Sequence, residues 1–255
     1  SDDPKLASDK KEVLEQADAF SAKYREKIAQ LSVTEFKEML QAYEALQDKG
    51  GKIGSFAYLQ WSTDTANTSF GKLVQEANEL SSELSQKLVF LDVEWLQVSD
   101  EDALVFINAE ELSFFKHYLE SSRRYKEHVL EEKQEQILSA KSVTGRSAWV
   151  RFFDETLGSA KFELDGEEYS EQEVLSKLHD GDRELRVRAH ASLSKKFNEL
   201  SHPLTFVFNT LLADKFTNDK LRNYPDWITS RNLSNETDDK TVDALVGAVT
   251  DNYAM

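Results

Sequence analysis

The stretch Asp182–Glu236, DRELRVRAHASLSKKFNELSHPLTFVFNTLLADKFTNDKLRNYPDWITSRNLSNE, carries apolar side chains at Leu185, Ala189, Leu193, Phe197, Leu200, Leu204, Phe208, Leu211 and Phe216. Steps of three, four or five residues align these side chains on one side of a long helix. The spacing predicts a core helix. Pro203 removes one helical hydrogen bond and crowds the turn before it, so a kink is expected near Glu199. The acid-first pairs Asp182/Arg186 and Glu184/Arg188 are expected to support the helix on its exposed side. Tyr224-Pro225-Asp226-Trp227 then ends it, and a polar turn leads to a last amphipathic segment with Val242, Leu245, Val246 and Val249. That segment runs to Met255 without a capping glycine or a charged tail, its apolar side still lacking partners.

Before this stretch the helical period dominates. Val13, Ala17, Phe20, Tyr24, Ile28 and Leu31 predict a first helix opening after Ser8-Asp9. Ser32-Val33-Thr34-Glu35 has the form of a capping box for a second helix through Phe36, Leu40 and Tyr43, with a reversal expected at Gly50-Gly51. Ile53 to Trp61 predicts a short third helix, and Phe70 to Trp95 one long fourth. Ser99-Asp100-Glu101-Asp102 and Asn108-Ala109-Glu110-Glu111 read as two further caps. Lys141 to Trp149 is a polar break around Gly145. Phe162 and Leu164, then Asp165-Gly166 and Tyr169, carry a hairpin signal, and Ser170 to Glu173 is another capping box. The expectation is a mainly α fold: an antiparallel, bundle-like lobe over 1–144, then one small β-hairpin near 161–169 and further long helices over 145–255.

Composition narrows the function classes. The 255 residues include only nine Gly and three Pro, few for a chain of many strands and turns, and carry a net charge of −16. Binding to a polyanion needs clustered Lys and Arg, so nucleic acid and anionic membrane surfaces are not expected partners. Absence of cysteine removes disulfides, thiolate nucleophiles and Cys-ligated zinc. The opening residues SDDPKLASDKKEV have no apolar signal core, and no run is long enough to span a bilayer. A soluble, cytoplasmic chain is expected.

Chemistry-bearing motifs are scarce. His117, His128, His179, His190 and His202 are nowhere closer than eleven residues in sequence, about 16 Å along one helix, too far to share an ion. Glu199 and His202 form a single Glu-x-x-His, whereas a di-iron bundle needs two copies and two further inward Glu. No nucleophile elbow, phosphate loop or dinucleotide fingerprint occurs. The sequons at Asn67, Asn232 and Asn235 carry no weight without a secretory signal. Trp61, Trp95 and Trp149 read as packing anchors, with Trp227 after Pro225 the one to test for exposure. No catalytic, cofactor-binding or metal-ligating residue is assigned.

A family resemblance rests on several of these pieces. Thr144-Gly145-Arg146-Ser147-Ala148-Trp149 with Phe153-Asp154-Glu155, the hairpin at Asp165-Gly166, Arg183 to Ala191, Asn209 to Asp214, Tyr224-Pro225-Asp226-Trp227-Ile228, and Arg231-Asn232-Leu233 with Asn235-Glu236 resemble oligoendopeptidase F and its relatives upstream of their zinc motif. Ala57-Tyr58-Leu59 and Asp64-Thr65 fit more loosely. The resemblance implies a cytoplasmic zinc metallopeptidase cleaving short peptides in a mostly helical body. Its metal is held by the two His of His-Glu-x-x-His and a further Glu, and none of those positions occurs in these residues. Zinc is therefore expected in a full-length parent and not in this chain, which the resemblance makes an N-terminal, non-catalytic portion cut before the catalytic half. The alternative reading is a stand-alone helical interaction module that never had a metal site.

Overall fold

The computed structural model describes residues 3–253. The fold is mainly α, with a single two-stranded antiparallel sheet among the described residues. The helices are α1 (Pro4–Tyr24), α2 (Val33–Ser62), α3 (Thr68–Leu88), α4 (Phe90–Gln97), α5 (Asp100–Ile107), α6 (Lys116–Arg123), α7 (Glu132–Ser142) and α8 (Arg146–Ser159). After strands β1 (Phe162–Leu164) and β2 (Glu167–Tyr169) come α9 (Glu171–Lys177), α10 (Arg183–Glu199), α11 (Ser201–Leu221), α12 (Thr229–Ser234) and α13 (Asp239–Asp251).

The chain divides into two compact units, and α1, α2, α3, α7 and α11 each contribute residues to both. One unit comprises residues 1–14, 48–84 and 139–213. Two clusters stand out in its core among the described residues. Ala57 and Trp61 pack with Leu73, Val74 and Ala77; Phe162 and Leu164 of the hairpin pack with Val174, Ala189 and Leu193. The hairpin turn places Asp165 and Gly166 at φ of 54° and 88°, the left-handed pair that a two-residue Asp-Gly turn supplies. The other unit comprises residues 15–47, 85–138 and 214–255. There Phe36 lies 5.4 Å from Trp95 and 4.4 Å from Phe106, ring centre to ring centre, while Phe20 stacks near Phe90.

Local hydrogen-bond chemistry places several elements where the sequence predicts them. At Ser32 the backbone N–H donates to Glu35 Oε2 at 2.9 Å while Glu35 N–H donates to the Ser32 hydroxyl. Ser170 and Glu173 repeat the box ahead of α9, and Ser99 accepts from Asp102 N–H ahead of α5. Where a kink is expected near Glu199, the structure has a full break at Leu200, between α10 and α11. Pro203 has no N–H to offer the Glu199 carbonyl four residues back, so α10 ends there.

Elsewhere the structure corrects the reading. The first helix begins at Pro4, whose missing N–H costs nothing at a first helical position, and Asp3 accepts from Lys5 N–H at 2.8 Å. It ends at Tyr24; Glu26 has φ 65° and Ile28–Gln30 form a separate 3-10 turn. No reversal occurs at Gly50-Gly51, and the expected third helix is the second half of α2. A Cβ on Gly50 would lie 2.8 Å from Leu84 Cδ2, so this glycine admits a neighbouring side chain and does not turn the chain. The long fourth helix breaks at Val89, where the carbonyls of Gln86 and Lys87 accept from Gln136 Nε2 and Arg25 Nη2. Asn108 opens no helix: it is the C-cap of α5, its N–H bonding the Leu104 carbonyl, and Glu110–Phe115 is a 3-10 segment with no side-chain cap.

The acid-first pairs on α10 also do not form. Arg186 donates to the Asp180 and Gly181 carbonyls, and Arg188 reaches the Asp165 carboxylate at 2.8 Å. Nor is the long stripe a core throughout. Ala189 and Leu193 are buried beneath the hairpin, but Phe208 and Phe216 are 62% and 72% exposed. Periodicity fixes which side chains share a face, not whether anything covers it.

Candidate functional site

The second unit contains a cavity of about 590 Å³, within the range of small-molecule and peptide side-chain pockets. Asp92 of α4 and Tyr118 of α6 lie on one part of its wall; Glu135 of α7 and the Arg222–Tyr224 segment after α11 supply another; Glu236 lies just past α12. Arg123 holds α4 and α6 together. Its guanidinium donates to the Trp95 and Val98 carbonyls, both at 2.9 Å, and pairs with Asp100, while Trp95 Nε1 donates to Ser122 Oγ at 3.1 Å. The clamp satisfies carbonyls at the end of α4 and brings Asp92 within reach of Tyr118.

Two helix ends aim the remaining groups. After α11, Tyr224 N–H bonds the Asp219 carbonyl at 2.9 Å and Asn223 N–H bonds that of Lys220, with Asn223 left-handed at φ 54°. After α12, Thr237 N–H bonds the Asn232 carbonyl and Glu236 N–H that of Leu233, with Glu236 left-handed at φ 53°. Both are Schellman endings. Asn tolerates the left-handed conformation, and Pro225 prevents the helix from resuming. Glutamate does not favour it, so a strained residue stands on the cavity wall. Its carboxylate lies 3.0 Å from His117 Nε2.

Charge in the cavity is arranged unevenly. Arg222 donates to both oxygens of Glu135, at 2.6 and 2.8 Å, and its guanidinium also reaches the His128 carbonyl at 3.2 Å. Burial pushes the Glu135 carboxyl up, but the bonds from Arg222 and from Leu130 N–H outweigh it and hold the group below the usual carboxylate range. Among the described residues Asp92 has no such cation. Desolvation raises its carboxyl, the Tyr118 hydroxyl donates only a long bond of 3.4 Å, and the Glu135 charge pushes the same way as burial. Burial beside Asp92 drives the Tyr118 hydroxyl far up and pushes Tyr43 up to about 12. His128 Nδ1 sits 2.9 Å from the Arg222 carbonyl. A carbonyl only accepts, so Nδ1 is the donor in this contact. The ring stacks on Tyr224 at 4.1 Å between centroids.

The cavity wall offers hydrogen-bonding and stacking groups. Ser121 and Ser122 donate to the backbone carbonyls of Tyr118 and Leu119, and neither is paired with a histidine as a nucleophile would be. Zinc does not fit either: among the described residues no group of three or more His, Cys, Asp or Glu side chains could hold an ion. His117 and Glu236 make a pair only. His179, His190 and His202 are exposed, and Glu199 is bonded to Lys196 at 2.6 Å. Trp61 and Trp95 are buried anchors, Trp149 packs 5.4 Å from Phe206, and Trp227 is 74% exposed. Of the cavity's polar groups the sequence singles out His128, Tyr224 and Glu236, none of them with a site role. Asp92 and Tyr118 are 26 residues apart, and Glu135 and Arg222 87 apart, so no local spacing marks the location.

The profile described as Oligopeptidase F matches residues 94–162. Over 204 residues the chain is 26% identical to Oligopeptidase PepF of Bacillus subtilis (strain 168), covering 76% of this chain and 30% of that protein. It is 24% identical over 224 residues to the Oligoendopeptidase F homolog of Borreliella burgdorferi, covering 86% and 38% respectively. The chain is related to the N-terminal part of the oligoendopeptidase F proteins. The crystal structure of oligoendopeptidase-F from Enterococcus faecium superposes with a TM-score of 0.82 at 21% identity, over 98% of this chain and 50% of that one. The mainly α fold with its small hairpin is thus an oligoendopeptidase F fold, and the chain spans about a third of the curated relatives and half of the solved one. No helix among the described residues is long and apolar enough to cross a membrane.

Proposed function

We propose that this chain is the non-catalytic N-terminal portion of a zinc-dependent, cytoplasmic oligoendopeptidase that hydrolyses short peptides, and that it shapes the peptide cleft and limits substrate size. The observation that carries the reading is the match of nearly the whole chain to half of an oligoendopeptidase-F structure, combined with a donor set unsuited to zinc among the described residues. The cavity beside Asp92 agrees with a wall role, since it offers hydrogen-bonding and stacking groups without a paired nucleophile and base.

The test is direct. The 255-residue chain, exposed to zinc and dialysed, is expected to retain none by atomic absorption and to leave short quenched-fluorescent peptides uncut. Stoichiometric zinc with turnover would overturn the reading. Sequencing the gene past residue 255 is expected to reveal His-Glu-x-x-His within about two hundred codons; a longer frame lacking it favours the stand-alone helical module instead.

A further inference from the structure

Helix α13 buries none of its residues. Leu245, Val246 and Val249 are 66%, 54% and 48% exposed, and Val242 is half-buried. Positions 242, 245, 246 and 249 follow the three-and-four spacing of a single helix face, and Tyr253 extends the same line one turn further. Polar groups fasten the helix at its start: Asp238 accepts from Thr241 N–H at 2.7 Å, and Asn232 Nδ2 donates to Asp239 at 2.7 Å. Thirteen residues are marginal as a helix in water without a packed face. An amphipathic pattern this regular, with Leu245, Val246 and Val249 all about half exposed or more, is the pattern of an interface.

Charge selects the occupant. Between residues 238 and 251 there are four aspartates and one lysine, on a chain of net charge −16. A second copy would bring two acidic rims together, which like-charge repulsion opposes. The complementary surface is therefore apolar with a basic rim. The relatives supply a source for it: the Enterococcus faecium structure is about twice as long as the part this chain matches. Resting on the reading that the chain belongs to a longer peptidase, we infer that the α13 face is the docking surface for the catalytic half, through an apolar patch ringed by Lys and Arg.

Hydrogen exchange over residues 242–249, read by mass spectrometry, tests this on the 255-residue chain and on the full-length gene product. At least tenfold slower exchange is expected in the longer protein. In a second measurement, Leu245→Asp combined with Val249→Asp is expected to leave the melting temperature of the 255-residue chain within about a degree, since neither side chain is buried there, and to lower that of the longer protein by several degrees, as losing packed apolar contacts does. Equal exchange in both proteins would overturn the docking surface, as would protection that appears on concentrating the short chain alone, which assigns the face to a second copy. Failure of the two readings is distinguishable. A longer frame without His-Glu-x-x-His sinks the peptidase, one with the motif but an unprotected α13 sinks only the junction, and a frame ending at residue 255 sinks both.

Discussion

Asp92 is the residue at which the fold works against itself. It sits beside a cavity with a long hydrogen bond from Tyr118 and no cation among the described residues, and desolvation raises its carboxyl above the ordinary aspartate range. In the folded state it holds its proton to higher pH than an unfolded aspartate does. The group therefore contributes stability that is fully present below the ordinary aspartate value and is lost as the pH rises through the raised one. Tyr43 and Tyr118 are shifted up and stay protonated throughout that window, so they remain donors. Asp92→Asn keeps an oxygen for Tyr118 and removes the ionisable group. At pH 8 the variant is expected to melt about 2–4 °C above the parent, what roughly 1 kcal/mol gives in a chain of this size. At pH 4.5 the gap should shrink towards zero. A variant that melts lower at both pH values would mean that an uncharged Asp92 is not what the folded state favours.

At the scale of elements, Gly50 and Gly51 separate helix propensity from packing. Both lie inside α2, where alanine is favoured over glycine by about 0.5–1 kcal/mol. At Gly51 a Cβ meets nothing within 4 Å, so Gly51→Ala is expected to stabilise by about that amount in urea denaturation. At Gly50 the added carbon lies 2.8 Å from buried Leu84, and overpacking is expected to cancel the gain or reverse it. Equal stabilisation by both substitutions would show that Leu84 yields freely. The same pair explains what could be read from the sequence. Capping boxes at Ser32 and Ser170, the Asp165-Gly166 turn and the break before Pro203 rest on bonds within a few residues, so their pattern is local and legible. Whether a glycine turns a chain or admits a distant leucine depends on α3, and whether the stripe through Phe208 and Phe216 is covered depends on what packs there. The candidate site lies wholly in that second category, since its Arg222–Glu135 pair and Asp92–Tyr118 contact join residues whose types alone suggest nothing.

Across the whole molecule, 47 acidic against 31 basic residues set a balance between self-repulsion and local pairing. Many of the ion pairs are exposed, as between Lys52 and Asp48 with 75% and 59% of their side chains accessible, and such pairs contribute about 0–1 kcal/mol each. Repulsion acts over the full surface and is summed over every like pair within a Debye length, about 30 Å at 0.01 M salt and about 8 Å at 0.15 M. Raising sodium chloride between those limits screens both terms. It removes more repulsion than attraction, because acids outnumber bases 47 to 31. Thermal melting followed by circular dichroism is expected to move up by about 2 °C, as a gain of roughly 1 kcal/mol would move it. Chloride is the right anion, since sulfate would strengthen apolar burial by its own exclusion from the surface and obscure the charge effect. A midpoint that falls with chloride would mean that the pairs outweigh the net charge, and the acidic rim of α13 would then no longer argue against a second copy as its partner.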